Sequence, residues 1–329
     1  MLPMLFGVVI GIMLPVQTAM NSRLRGALHS LFAASFVSFG LGTVALLATL
    51  VVSGAGVGLP DGFLRSQPWW IWIGGALGVV FLTGNIALFS HLGAVQTVVM
   101  PILGQIVGGE VIDQFGLFDS PVRVLTYGRG AGTMLAIAGV VLVVAGPELA
   151  TRRVRGGRGS GDGREVHGED SGREPALWLW RLAGIAAGML SAMQSAVNGT
   201  LGAHLHSAVK AAFISFLIGT LALVALLALQ RLIRRVGHRP QPHGSRMGAT
   251  RWWFWIGGLL GAFFVYGNAT LVPVLGTGLT VVVVIAGQLL GGLGIDRYGL
   301  LGASRRRVHA IQLIGIVVLI AGGIALRLL

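Results

Sequence analysis

The chain has 329 residues, 54% of them hydrophobic and 11% charged, with a mean hydropathy of +0.81 and a formal net charge of +13. Those proportions exclude an ordinary water-soluble domain and assign the chain to a bilayer. The absence of cysteine excludes disulfides and thiolate metal sites.

A helix needs roughly 20 apolar residues to cross the hydrocarbon layer with every backbone amide satisfied. That ruler predicts ten spans: 2–21, 31–53, 69–90, 93–112, 128–146, 177–198, 208–229, 252–271, 274–295 and 308–328. The opening "MLPMLFGVVIGIML" has neither a preceding cationic stretch nor a small-residue cleavage site, so it is expected to be the first span and not a removable signal peptide. After the fifth span, "PELATRRVRGGRGSGDGREVHGEDSGREP" is polar and Gly-rich, and reads as a flexible linker over 147–176.

The two flanking regions repeat one another. "WWIWIGGALGVVFLTGNIAL" from Trp69 aligns without a gap to "WWFWIGGLLGAFFVYGNATL" from Trp252. "SFVSFGLGT" from Ser35 pairs with "AFISFLIGT" from Ala212, and "ILGQIVGGEVIDQFGL" from Ile102 with "IAGQLLGGLGIDRYGL" from Ile285. The expectation is an all-α integral membrane protein of two five-helix units, 1–146 and 177–329. An odd number of spans per unit makes the second copy enter the membrane upside down. Lys and Arg concentrate in the loops on the side reached after the first span, which predicts a cytoplasmic linker and both termini outside. This bias accounts for most of the net charge, so no nucleic-acid partner is expected.

Few polar residues interrupt the spans. Gln17 and Asn21, and in the second unit Gln194 and Asn198, lie four residues apart on one helix face. With Asn85 and Asn268 they are expected to form matched polar sets at the two mouths of a central cavity; a second reading has Asn21 and Asn198 ending their helices through local hydrogen bonds. Gln105 and Gln288 fall near the midplane of spans four and nine, where an amide must face the protein interior, either touching a substrate or bonding another helix. Tyr266 and Phe81 lie deep enough to line a cavity. Glu110 is the clearest ionisable group inside a span and a candidate for proton coupling, with an ordinary interfacial carboxylate as the alternative; its repeat partner is Leu293. Asp113 and Asp296 are expected just past their spans, capping a turn or pairing with Arg. His91 is expected in a tight turn between spans three and four. Gly104/Gly108 and Gly287/Gly291 follow the small-xxx-small spacing of close helix contacts. The Trp clusters at 69–72 and 252–255 are expected at headgroup level. No His-rich metal pattern, phosphate loop or serine elbow occurs, so neither a cofactor nor enzymatic chemistry is expected.

The combination of Q-x3-N, S-F-x-x-G-T, W-W with G-G-x-x-G, and G-Q-x-x-G-G followed by I-D-x-[FY]-G-L resembles the YdcZ family of the drug/metabolite transporter superfamily. The resemblance covers both units and implies a fused pair of units that are separate chains in many relatives. It implies a bacterial cytoplasmic-membrane exporter of a small metabolite or drug-like compound, working by alternating access, with a lipid translocator as the alternative. Fusion of the halves suggests that the protein works as a monomer. Small multidrug resistance proteins of that superfamily exchange protons through a Glu in the first helix, whereas this chain carries Gln17 and Gln194 there. An amide cannot carry a proton at physiological pH.

Overall fold

The computed structural model describes residues 1–156, 174–236, 251–302 and 309–328, with side chains described outside 86–87, 89–99, 144–156, 174–177, 234–236, 296, 302 and 327–328. The described residues form ten α-helices: α1 (Leu2–Leu28), α2 (Leu31–Val52), α3 (Phe63–Ser66), α4 (Gly74–Phe115), α5 (Tyr127–Gly156), α6 (Glu174–His204), α7 (Ala208–Val236), α8 (Gly257–Leu275), α9 (Thr277–Tyr298) and α10 (Ala310–Leu328). Among the described residues, five helices are long and apolar enough to cross a membrane. Short 3-10 turns over Trp69–Trp72 and Trp252–Ile256 lead into α4 and α8.

Local chemistry explains the ends. Ser30 caps α2, its hydroxyl accepting the Ala33 N–H at 3.2 Å. Gly276, at φ +80, stops α8 and starts α9, a turn that a residue with a Cβ adopts only under strain. Just past the ends of α1 and α6 lie the equivalent residues His29 and His206, both left-handed. Asn21 and Asn198 therefore do not terminate their helices, which continue beyond them, because their amides are engaged sideways. Asp113 likewise lies inside α4, and the backbone of Asp296 inside α9, not beyond them. Helix α5 runs to Gly156, into the stretch read as linker, of which 157–173 lie outside the described residues.

Helix α4 is two arms in one. Gly78 faces Gln194 of α6 while Gly108 faces Ala192, barely half a turn away. About 30 residues of straight helix would separate those glycines by roughly 45 Å. The chain therefore folds back between Leu88 and Met100, both of which touch Gly184. The fold-back contains His91, whose side chain lies outside the described ones. In the other half α8 and α9 straddle α1 in the same way: Gly261 faces Gln17, Val283 faces Gly7 and Gly287 faces Gly11.

Contacts between the halves come in exchanged pairs. Gly42 faces Phe216 and the Gly258 carbonyl, and the equivalent Gly219 faces Phe39 and the Gly75 carbonyl. Where α2 meets α7, equivalent residues meet each other: Phe39 and Phe216 stack at 4.9 Å, and the hydroxyls of Thr43 and Thr220 lie 2.9 Å apart. Helices α5 and α10 meet through Gly139 and Gly315, each in van der Waals contact with the other's carbonyl. The largest buried cluster joins α1, α4, α5, α6, α8, α9 and α10 around Ile10, Ile106, Val140, Ala192 and Ile285.

Candidate functional site

The Q-x3-N pairs find their partners across the halves. Asn21 points its Oδ1 at Gly257 and Gln17 its Nε2 at Gly261, so an i, i+4 amide pair on α1 rests on an i, i+4 glycine pair on α8. Asn198 and Gln194 of α6 rest in the same manner on Gly74 and Gly78 of α4. A Cβ at any of these glycines would occupy the space of the amide. All four amide side chains are buried, Asn198 at 1% exposure and Gln194 at 8%. Asn21 also donates to the Ser38 hydroxyl of α2 at 3.2 Å.

Asn268 belongs to a different interface. Its Oδ1 accepts from the Ser195 hydroxyl of α6 at 3.3 Å and its Nδ2 donates to the Phe264 carbonyl at 2.9 Å. Gln194, Asn198 and Asn268 are thus neighbours around α6, divided between its contacts with α4 and with α8. Asn85 is half-buried on the N-terminal arm of α4. Gln105 is buried, its backbone N against Gly188 of α6. Gln288 is half-buried on α9, and its Nε2 is buried without a hydrogen-bond partner. Tyr266 is half-buried beside Phe263, at 6.0 Å between rings, and Phe81 is buried. Trp69 and Trp252 are exposed, whereas the Trp residues that follow them pack onto the termini of α6 and α1.

A charged cluster lies at the opposite end of the α8–α9 pair from the Asn21 contacts. Glu110 and Asp113, three residues apart on α4, both reach Arg129 of α5, at 3.4 and 3.7 Å from its Nη2. The side chains are 11%, 0% and 8% exposed for Glu110, Asp113 and Arg129. Asp113 accepts the Thr277 and Gly278 N–H groups at 2.8 and 2.9 Å, so it caps α9 from the other half of the molecule. Glu110 turns its Oε1 toward Gly278, without a hydrogen-bond partner. The Arg129 Nη1 also donates to the carbonyls of Arg123 and Val124. Glu110 is thus an ion-paired group in a protein interface, not an interfacial carboxylate in water. The sequence analysis does not single out Arg129; the signal for it is a carboxylate pair at i, i+3, Glu110 and Asp113, with a cation in the first turn of the next span.

The glycine–amide contacts give a testable energy. Removing the amide in Asn21→Ala should cost about 1 kcal/mol, the usual net worth of the hydrogen bond it gives up to the Ser38 hydroxyl, since its Oδ1 against Gly257 has no hydrogen-bond partner. Gly257→Ala should cost more, about 1–3 kcal/mol, through overpacking. The double variant should recover part of that loss, because the new methyl enters the space the amide vacates. Unfolding in detergent reads the cycle, and strict additivity would mean the two residues do not touch.

Residues 2–142 and 179–326 match the family described as "Putative inner membrane exporter, YdcZ". Inner membrane protein YdcZ of Escherichia coli (strain K12) is 28% identical over 142 residues, 43% of this chain and 94% of that one. In fold, a solved crystal structure of another protein is similar at a TM-score of 0.57, with 16% identity, over 98% of this chain and 94% of that one. With exchanged amide–glycine contacts in both halves and the family match covering both, the chain belongs to the YdcZ family of membrane proteins, of the drug/metabolite transporter type.

Proposed function

We propose that this protein exports a small metabolite or drug-like compound across the bacterial inner membrane by alternating access. Its two units, 1–146 and 177–329, are inverted five-span repeats joined by the linker 147–176, giving ten spans. Both termini lie outside and the linker lies inside, as the distribution of Lys and Arg favours. One fused chain supplies both units, so the protein acts as a monomer on a small-molecule substrate, without nucleic acid or cofactor. The observation that carries this reading is the exchange of contacts: Gly7 with Val283 recurs as Gly184 with Met100, and Gly11 with the Val284 carbonyl recurs as Gly188 with the Pro101 carbonyl. Two units with interchangeable contacts can swap conformations at little net cost, and that exchange moves access from one face to the other.

Gln105 and Gln288 contact the substrate, the unpartnered Nε2 of Gln288 being a donor available to it. The amides of Gln17, Asn21, Gln194 and Asn198, with Asn85, Asn268 and Tyr266, border the path. Glu110 is the group offered for proton coupling. A thermal-shift screen of the purified protein against metabolites, amines, drugs and lipids should find a soluble compound that raises Tm. That shift should fall at least tenfold in apparent affinity in Gln105→Ala and Gln288→Ala. A shift that survives both substitutions puts the site elsewhere, and stabilisation by lipids alone favours a lipid translocator. In proteoliposomes loaded with that compound, Glu110→Gln should abolish any dependence of its flux on an imposed pH gradient.

A further inference from the structure

Asp113 does more than neutralise Arg129. Its two oxygens hold the first two N–H groups of α9, so α4 and the start of α9, from opposite halves, are tied by charge-assisted bonds. The surrounding contacts converge on the same segment: the Ser120 hydroxyl lies 3.4 Å from that of Thr277, and the Arg123 guanidinium reaches the Val274 carbonyl at 3.5 Å. Asp113, Thr277 and Thr280 are all 0% exposed, so this end of the molecule is shut where α9 begins. Gly276, directly before the tied segment, supplies a pivot with φ +80. If α9 swings away, Arg129 stays with both carboxylates, because α4 and α5 belong to the same half. Release breaks the two Asp113 hydrogen bonds and the Ser120–Thr277 contact and uncovers apolar surface at Leu279 and Val281, but it leaves no orphaned buried charge, so the largest penalty against a second state is absent.

We infer that the Asp113 carboxylate is a latch that holds the start of α9 closed over this mouth, and that letting go of the Thr277 and Gly278 amides opens it. The latch rests on the alternating-access reading, and the experiment separates the two. The chain has no cysteine, so Thr280→Cys is a unique reporter just beneath the latch, and Ser38→Cys, in a separate protein, reports on the opposite end. The full-length chain in native membrane vesicles of both orientations is treated with a membrane-impermeant maleimide. Asp113→Asn should speed labelling of Thr280→Cys at least tenfold and raise hydrogen exchange at residues 277 and 278. Thr277→Pro removes one donor at a helix position where proline is tolerated, and should act in the same direction if Asp113→Asn fails to fold. Labelling within twofold of the parent in the folded variants overturns the latch. Faster labelling at Thr280→Cys with slower labelling at Ser38→Cys supports both the latch and the exchange between faces. Faster labelling at Thr280→Cys with Ser38→Cys unchanged keeps the latch and removes alternating access.

Discussion

Arg129→Ala is expected to destabilise the protein by about 3–5 kcal/mol, the usual cost of stripping the partner from a buried charge. Two carboxylates depend on this one guanidinium, at 3.4 and 3.7 Å, and neither is exposed enough to recover hydration. A loss of that size is a large part of the stability of a typical folded domain, so the yield of monodisperse protein should collapse. Arg129→Lys should fall between, since it keeps the charge and loses the fork that spans both acids. Adding Glu110→Gln and Asp113→Asn to Arg129→Ala should restore part of the loss by removing the charges left behind. Unfolding in detergent measures the series. A loss below about 1 kcal/mol for Arg129→Ala would mean that the pair is solvated and that the cluster does not bind α9 to α4.

The second large effect is expected at glycines that let helix backbones touch. A methyl at Gly104 would overlap the Ile185 carbonyl oxygen, and one at Gly188 would overlap the Pro101 carbonyl. Neither obstacle is a side chain that could rotate away. Gly104→Ala and Gly188→Ala should therefore push α4 and α6 apart, each at about 1–3 kcal/mol or somewhat more. The repeat gives the same expectation for Gly287→Ala against the Val8 carbonyl and Gly11→Ala against the Val284 carbonyl. Gly292→Ala and Gly294→Ala have open space around them and should be neutral or slightly stabilising, since alanine favours a helix. Equal thermal stability across the six variants would contradict the packing described for these helix pairs.

The all-helical membrane class is legible in the sequence because the bilayer sets the length and apolar character of a spanning helix. The glycines at 104, 108, 287 and 291 announce close contacts by spacing alone, and they make them. What the spacing does not carry is the partner. Gln17 and Gly261 are far apart in sequence, and nothing local to "LPVQTAMN" says that its two amides will lie on the glycines of "WWFWIGGLLGA". The same limit applies to Asp113: the sequence suggests a turn cap or an Arg partner, whereas the carboxylate caps a helix of the other half. Arg129 carries no sequence signal of its own, because one cation at the start of a span is ordinary and only tertiary contact reveals the two acids beside it. Asn21 and Asn198 look like helix ends because polar residues there usually are, whereas sideways burial lets the helices continue to Leu28 and His204.

The central proposition is that the second half is an upside-down copy of the first. Gly26 and Ala203 are equivalent residues, both exposed, near the ends of α1 and α6. Gly26→Cys and Ala203→Cys, made separately in the cysteine-free chain, can be labelled with an impermeant maleimide in intact spheroplasts and in inside-out vesicles. Inversion predicts that Ala203→Cys reacts in the spheroplasts and Gly26→Cys only in the inside-out vesicles. Both positions reacting from one and the same face would contradict it.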